Sequence, residues 1–464
     1  MAPVPLQLQR TVVRSFETYF VAAVLFLLIG LMVPCSSEQV AKRVSLQGKL
    51  NYKDAHVRDI WTLVQSGTGV VYKLPEQPLD SLGYPIPATS IVMLDCTPDP
   101  KMPTNCTKIS RAEVSRAAAS LARVGTETTL RLLVMVVSYM ASPSCGARSG
   151  ASVDDVRYAY TNELGYMNFL RNCSYGQVTY SNVTVISTPV PCTRYLDQCD
   201  EESIAFTAKT SAANQYGPAF VSSFSRFAYV LPDGLLSACG WVGLAELSGT
   251  QTWYTPDGDG VFNKGTVLQE SLHNFGIYHG WRNGSEYQDN STAMGLGNSC
   301  PSAPELRRLG WASPLAQLDN STLPIRTFKA FTLPATYVTS EGNMVRIQPD
   351  WLSKRNYTKN LYLALRMQGG GDRDLLDEFD GKVSVHEVNK SIDNFMAVGD
   401  PRVSLLRTID PSTVLDMPTY KLRVMSGALI GSTITVQICR YDKLPKECME
   451  ANLRRERKHR RVTL

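Results

Sequence analysis

Residues 269–279 read Gln269-Glu270-Ser271-Leu272-His273-Asn274-Phe275-Gly276-Ile277-Tyr278-His279, and the reading of this stretch decides the fold around it. Gln269 and His273 are four apart, so on a helix they project from one face, one turn above the other. Glu270 lies beside that face, where it can reach a water held by a metal ion. Gly276 permits a positive φ, which ends the helix and lets His279 swing back toward the same point. Gln269, His273 and His279 would supply three ligands and leave a fourth position open. A catalytic ion needs that opening, whereas a structural site closes all four positions. The stretch departs from the ligand pattern H-E-x-x-H-x-x-G-x-x-H only at its first residue. Its flanks predict a helix capped by Asn263, carrying the apolar residues Val267 and Leu268 and stopped at Gly276.

Glutamine at 269 has consequences of its own. Its amide oxygen is neutral and a weaker ligand than imidazole, so affinity should fall. Copper then joins zinc as a candidate, because nitrogen-rich sites bind it more tightly. Gln269 could instead point away and leave a weak two-histidine site. Further on, Asp289-Asn290-Ser291-Thr292-Ala293-Met294-Gly295 places a methionine fifteen residues beyond His279. A polarizable thioether suits the floor beneath imidazole rings.

Together with Met294, the run 269–279 resembles the gametolysin-type metalloproteases of green algae. Ser299-Cys300-Pro301-Ser302-Ala303-Pro304-Glu305-Leu306 and Leu309-Gly310-Trp311 fit the same resemblance, as do Leu130 to Val137, Cys173-Ser174-Tyr175-Gly176 and Pro191-Cys192. Leu361 to Arg366 and Val383 to His386 fit the family's later region, so the likeness spans about residues 128–440. It implies an α+β, metzincin-like catalytic domain in a secreted endopeptidase. The implied substrates are glycoproteins of a cell wall or extracellular matrix. It also implies one divalent ion, zinc or copper, held by Gln269, His273 and His279, with Glu270 as general base and Gly276 and Met294 in support. Some members of the family carry glutamine at the first ligand position.

Both ends of the chain bear on compartment. Arg10 and Arg14 precede an apolar run from Tyr19 to Val33, and Cys35-Ser36-Ser37 supplies small residues for cleavage. The run is short for a membrane span and suits a secretory signal over residues 1–37, an uncleaved anchor being the alternative. Of eleven cysteines, Cys35 would leave with the signal, and the remaining even count suits disulfides in an oxidising compartment. By proximity, Cys96 with Cys106, Cys173 with Cys192 and Cys439 with Cys448 are possible pairs, although connectivity cannot be read from spacing. Sequons at Asn105, Asn172, Asn182, Asn283, Asn290, Asn320, Asn356 and Asn389 suggest a glycan-coated surface.

Composition is globular, with 44% hydrophobic and 19% charged residues over 464 positions, enough for several cores. Six Arg or Lys against one Glu between Arg454 and Arg461 account for the whole net charge of +5. The remainder is therefore balanced, which argues against nucleic acid as a partner. The reading divides the chain into a pro-segment at 38–127, a catalytic domain at 128–314, a β-rich, sandwich-like module at 315–450 and a basic tail at 451–464. Within the pro-segment, Val44 to Leu50 and Ile91 to Leu94 read as strands, and Ser110 to Val124 as a helix with Glu113 completing a capping box. A free thiol at Cys96 or Cys106 could block a metal, although their even partnership favours a disulfide. In the catalytic domain, Leu130 to Tyr139 reads as a strand buried on both faces and Val153 to Arg171 as one helix. Asp257-Gly258-Asp259-Gly260 reads as a tight turn, and His386 as a lone structural histidine. No stable membrane partner is expected once the signal is removed.

Two functions compete at this point. One is a secreted metallo-endopeptidase whose metal-held water is activated by Glu270. The other is a catalytically inactive matrix glycoprotein that keeps the scaffold for binding.

Overall fold

The computed structural model describes residues 43–55, 59–117, 128–396 and 402–449. The expected signal region, the basic tail, His56 and His459 lie outside the described residues. Among the described residues, no helix is long and apolar enough to cross a membrane.

The N-terminal part is one antiparallel sheet ordered β3-β2-β1-β4-β5, built from β1 (Val44–Asp54), β2 (Asp59–Gln65), β3 (Val71–Leu74), β4 (Ile91–Pro98) and β5 (Cys106–Arg116). Leu46 and Leu50 of β1 point into its core with Leu63, Val92 and Leu94, the period of two that a half-covered strand shows. That period fails at Asn51 and Lys53, which are also buried, because the next layer covers the second face of β1 there. The helix expected over Ser110–Val124 does not start at Ser110, and residues 118–124 lie outside the described residues. Residues through Arg116 belong to β5, whose pairing with β4 outweighs the local capping signal. Cys96 and Cys106 are disulfide-bonded, so neither offers a thiolate to a metal.

A second sheet, ordered β7-β6-β8-β10-β9, carries the central layer. Strands β6 (Thr128–Met140), β7 (Val178–Pro191), β8 (Arg226–Val230) and β10 (Gln251–Tyr254) are parallel, and β9 (Gly243–Ala245) closes one edge antiparallel to β10. Leu132 to Val137 are all buried, as a parallel strand covered on both faces requires. The predicted helix over 153–171 is instead two, α1 (Val153–Thr161) and α2 (Tyr166–Cys173). The Asn162 amide donates to Tyr158 O at 2.7 Å and stops the first. A Cβ at Gly165 would lie 2.7 Å from Ala159 O, so only glycine allows the second to start so close. Helix α3 (Glu201–Tyr216) packs Ile204, Ala208 and Ala212 on one face of the sheet. On the other face lie Val156 and Tyr160 of α1 and Val267 of α4 (Lys264–Asn274).

The last part is a sandwich of two sheets. The larger is ordered β12 (Ser285–Glu286), β11 (Gly280–Arg282), β18 (Val403–Ile409), β17 (Lys382–Asn389), β16 (Lys359–Arg366), β15 (Val345–Ile347) and β13 (Ala316–Leu318), and the smaller β14 (Phe328–Pro334), β21 (Thr433–Arg440), β20 (Leu422–Ile430) and β19 (Val414–Met417). Leu361, Leu363 and Val385 of the larger interdigitate with Val424, Val436 and Ile438 of the smaller. Strand β11 (Gly280–Arg282) begins one residue after His279 and pairs parallel with β18 (Val403–Ile409), so the sandwich is welded to the candidate site. The expected Cys173–Cys192 pair is also wrong. Cys173 bonds Cys300 and Cys192 bonds Cys145, while Cys199–Cys239 and Cys439–Cys448 complete the described set. Proximity along the chain failed because α2 and the 291–300 loop meet in space, 127 residues apart.

Candidate metal and catalytic site

Helix α4 starts where Asn263 Oδ1 accepts the amides of Gly265 at 2.9 Å and Thr266 at 3.2 Å. Its face carrying Gln269, Glu270 and His273 is buried. Gly276 has φ +83°, a left-handed turn that glycine adopts without strain. This turn brings Ile277 O to 2.7 Å from His273 Nδ1 and returns His279 over the helix. A carbonyl can only accept, so His273 Nδ1 is the protonated nitrogen and Nε2 keeps its lone pair.

His279 Nε2 lies 2.9 Å from His273 Nε2. Its Nδ1 faces two carboxylates, Glu286 at 3.0 Å and Asp54 at 3.3 Å. Burial would lower the His279 pKa, but Asp54 and Glu286 outweigh it and hold it at about 9. The Gln269 amide is satisfied in one orientation: Nε2 donates to Ala293 O at 3.1 Å and Gly295 O at 3.2 Å, and Oε1 sits 3.2 Å from His279 Nε2. The loop around Met294 thereby aims the oxygen of Gln269 at the imidazoles. His279, charged at its raised pKa, carries a hydrogen on Nε2 that is shared between Gln269 Oε1 and the free lone pair of His273 Nε2, so one oxygen and two nitrogens converge on one point. Only a shared proton or a cation relieves their mutual repulsion, and this donor set suits a divalent ion.

Glu270 is 3% exposed, and burial pushes its carboxyl up to about 8, with His279 pulling it down and Asp54 adding to the rise. Its carboxylate lies beside Gly243 of β9. A Cβ there would fall 2.7 Å from Glu270 Oε1 and 2.8 Å from Thr266 Cγ2. Gly243→Ala is therefore expected to destabilise the protein by about 1–3 kcal/mol, the cost of overpacking a filled site. Thermal unfolding of the two forms checks this, and an unchanged midpoint would mean the carboxylate can step aside.

Met294 is fully buried among Leu268, Leu272 and Ile277, and Gly280 N donates to its carbonyl at 2.7 Å. His386 is not alone. Its Nε2 lies 2.9 Å from Asp289 Oδ2, both groups are buried, and Asp289 Oδ1 also accepts from the Ser291 amide and hydroxyl. Burial would raise the Asp289 pKa, but His386 and Ser291 hold it below the usual carboxylate value. Residues 257–260 form a turn, as their sequence suggested, and Asp257 accepts the Gly234 amide of a separate turn. Of the sequon asparagines, Asn172, Asn182, Asn283, Asn320 and Asn356 are exposed and Asn105 and Asn389 half-buried. Asn290 is half-buried too, with its side-chain oxygen enclosed.

Sequence reasoning missed Asp54, Glu286 and Gly243. Glu286 had a legible signal: Asn283-Gly284 is a two-residue hairpin turn, with φ 54° and 78°, which sets Glu286 opposite Trp281. Asp54 had none, because it approaches from a separate sheet. Asp54, His279 and Glu286 form the group of His and acidic side chains that could share an ion on the Nδ1 side.

The autolysin of Chlamydomonas reinhardtii is 29% identical over 199 residues, covering 35% of this chain and 31% of that protein. The chain thus matches about a third of that relative's length. The family described as Gametolysin peptidase M11 matches residues 131–416, which hold the central sheet, helix α4, the Met294 loop and most of the sandwich. With more than half of its length so matched, the chain belongs to the gametolysin peptidase M11 family.

Proposed function

We propose that the chain is a secreted metallo-endopeptidase of metzincin type that hydrolyses peptide bonds in cell-wall or extracellular-matrix glycoproteins. The observation that carries this reading is the convergence of Gln269 Oε1, His273 Nε2 and His279 Nε2 beside buried Glu270. Residues 128–314 are read as the catalytic domain, 38–127 as a pro-segment and 315–450 as an accessory module. Family membership and a relative named autolysin support the substrate class.

Zinc or copper, held by Gln269, His273 and His279, would supply Lewis acidity that polarises the scissile carbonyl and makes an attacking water more acidic. The chain's own residues do the rest. Ile277 O and Glu286 fix the two rings with their Nε2 atoms inward, as second partners of ligating histidines do. Ala293 O and Gly295 O hold the Gln269 amide. Glu270 takes the proton from the attacking water and hands it to the leaving amine. Its buried position keeps bulk water from competing for that proton.

Metal analysis of the purified chain, with gelatin hydrolysis before and after limited digestion ahead of Thr128, tests the reading. Bound zinc or copper and chelator-sensitive hydrolysis are expected. No hydrolysis in either form with both metals supplied would leave an inactive matrix glycoprotein as the better description. Gln269→His is expected to tighten zinc binding about 10-fold or more, since imidazole replaces an amide oxygen. Competition with a chromogenic chelator measures it, and equal affinity would show that Gln269 is no ligand.

A further inference from the structure

We propose that His386, on strand β17 of the sandwich, is a positioning residue for the metal site: through Asp289 it clamps the Met294 loop, and the clamped loop aims the Gln269 oxygen inward. The inference rests on reading Gln269, His273 and His279 as ligands, and it adds what makes the amide, the weakest of the three, usable.

Strand β17 alternates between two cores. Val383 and Val385 point into the sandwich. Val388 faces the other way, into the core that holds Met294, Leu268 and Leu272, and the period of two puts His386 on that same face. There its Nε2 lies 2.9 Å from Asp289 Oδ2, with His386 1% exposed and Asp289 not at all. Asp289 stays ionised at its lowered pKa and a carboxylate only accepts, so the imidazole Nε2–H is the donor.

From Asp289 the constraint runs along the loop in short steps. Asp289 Oδ1 accepts the Ser291 amide at 3.0 Å and the Ser291 hydroxyl at 2.6 Å. Ser291 O accepts the Ser299 hydroxyl at 2.9 Å, and Ser299 O accepts the Ala293 amide at 3.1 Å. Gly295 lies directly on the Asp289 peptide, since a Cβ there would fall 2.1 Å from Asp289 O. Ala293 and Gly295 are the residues whose carbonyls hold the Gln269 nitrogen, at 3.1 and 3.2 Å. The two ends of an amide are nearly alike in shape, so these acceptors decide which end meets the imidazoles. A buried ion pair adds little to folding that apolar packing would not, whereas the outer partners of a ligand change metal affinity about 10–100-fold. The clamp should therefore show in metal binding.

Zinc affinity of the full chain, measured by competition with a chromogenic chelator, tests the clamp in the parent and in a Gln269→Ala background. Asp289→Asn combined with His386→Leu removes the charge and the clamp together and strands no buried carboxylate. This pair is expected to weaken zinc binding about 10-fold in the parent and not at all in the Gln269→Ala background, because the clamp acts through that amide. His386→Gln alone, which keeps a donor near Nε2, should retain most of the affinity. Val385→Ala, on the sandwich side of the same strand, should lower stability and leave affinity unchanged. Amide exchange at Gly280, whose N–H donates to Met294 O at 2.7 Å, follows the loop without metal and should quicken in the paired variant but not in His386→Gln. Unchanged zinc affinity in the paired variant, or an equal loss in both backgrounds, would overturn the proposal. A parent that binds neither zinc nor copper would end the endopeptidase reading, and exchange at Gly280 would then uphold or overturn the clamp by itself.

Discussion

Glutamine in place of Glu270 is expected to lower gelatin hydrolysis about 10²–10⁴-fold, the usual contribution of a positioned general base, while bound metal is unchanged. The substitution keeps the side chain's shape, so the contacts with Gly243 and Thr266 survive. What it removes is the ability to accept a proton. The carboxyl stands at about 8 because it is buried, with His279 acting in the opposite direction. A divalent ion in the pocket would lower it further, leaving a base able to work near neutral pH. Metal content should not change, because the three converging donor atoms belong to other side chains. Rates and metal content measured on the same preparations separate the two roles. Equal rates in the two proteins would remove Glu270 from the reaction, and lost metal would make it a ligand.

Asp393→Ala is expected to destabilise the protein by about 3–5 kcal/mol, because it strands buried cations. Asp393 sits without exposed surface on the short helix α6 (Lys390–Phe395). It accepts Arg346 Nε at 2.9 Å, Arg346 Nη2 at 2.7 Å, Arg307 Nη1 at 3.1 Å and the Tyr362 hydroxyl at 2.5 Å. Arg307 belongs to α5 (Ala303–Leu309), just beyond the Met294 loop, whereas Arg346 and Tyr362 belong to the sandwich. One carboxylate therefore ties the segment after the Met294 loop to the sandwich. The urea midpoint of the variant against the parent measures the loss. A change below about 1 kcal/mol, the range of an exposed pair, would mean that the two guanidinium groups find water instead.

Helix α4 was legible because its determinants are local. Asn263, the spacing of Gln269 and His273, and Gly276 each act within a turn or two of chain, and the structure places them as the pattern requires. Strand β6 was legible for a related reason, since a run of apolar residues needs cover on both faces whatever supplies it. The failures share the opposite cause. Residues 110–116 carry a helix-capping signal that pairing with β4 overrides. Cys173 found Cys300, and His386 found Asp289, across separations of 127 and 97 residues.

The sequence alone determined which atoms are available: an amide oxygen, two imidazoles and a carboxylate on one helix and the turn that follows it. Periodicity and a glycine suffice to bring those together. Tertiary structure decided which way each atom points. The Gln269 oxygen faces inward because carbonyls at 293 and 295 claim its nitrogen, and His279 presents Nε2 because Asp54 and Glu286 take Nδ1. Those partners arrive from another loop, a hairpin and another sheet, and nothing in the spacing of residues within the motif encodes their approach.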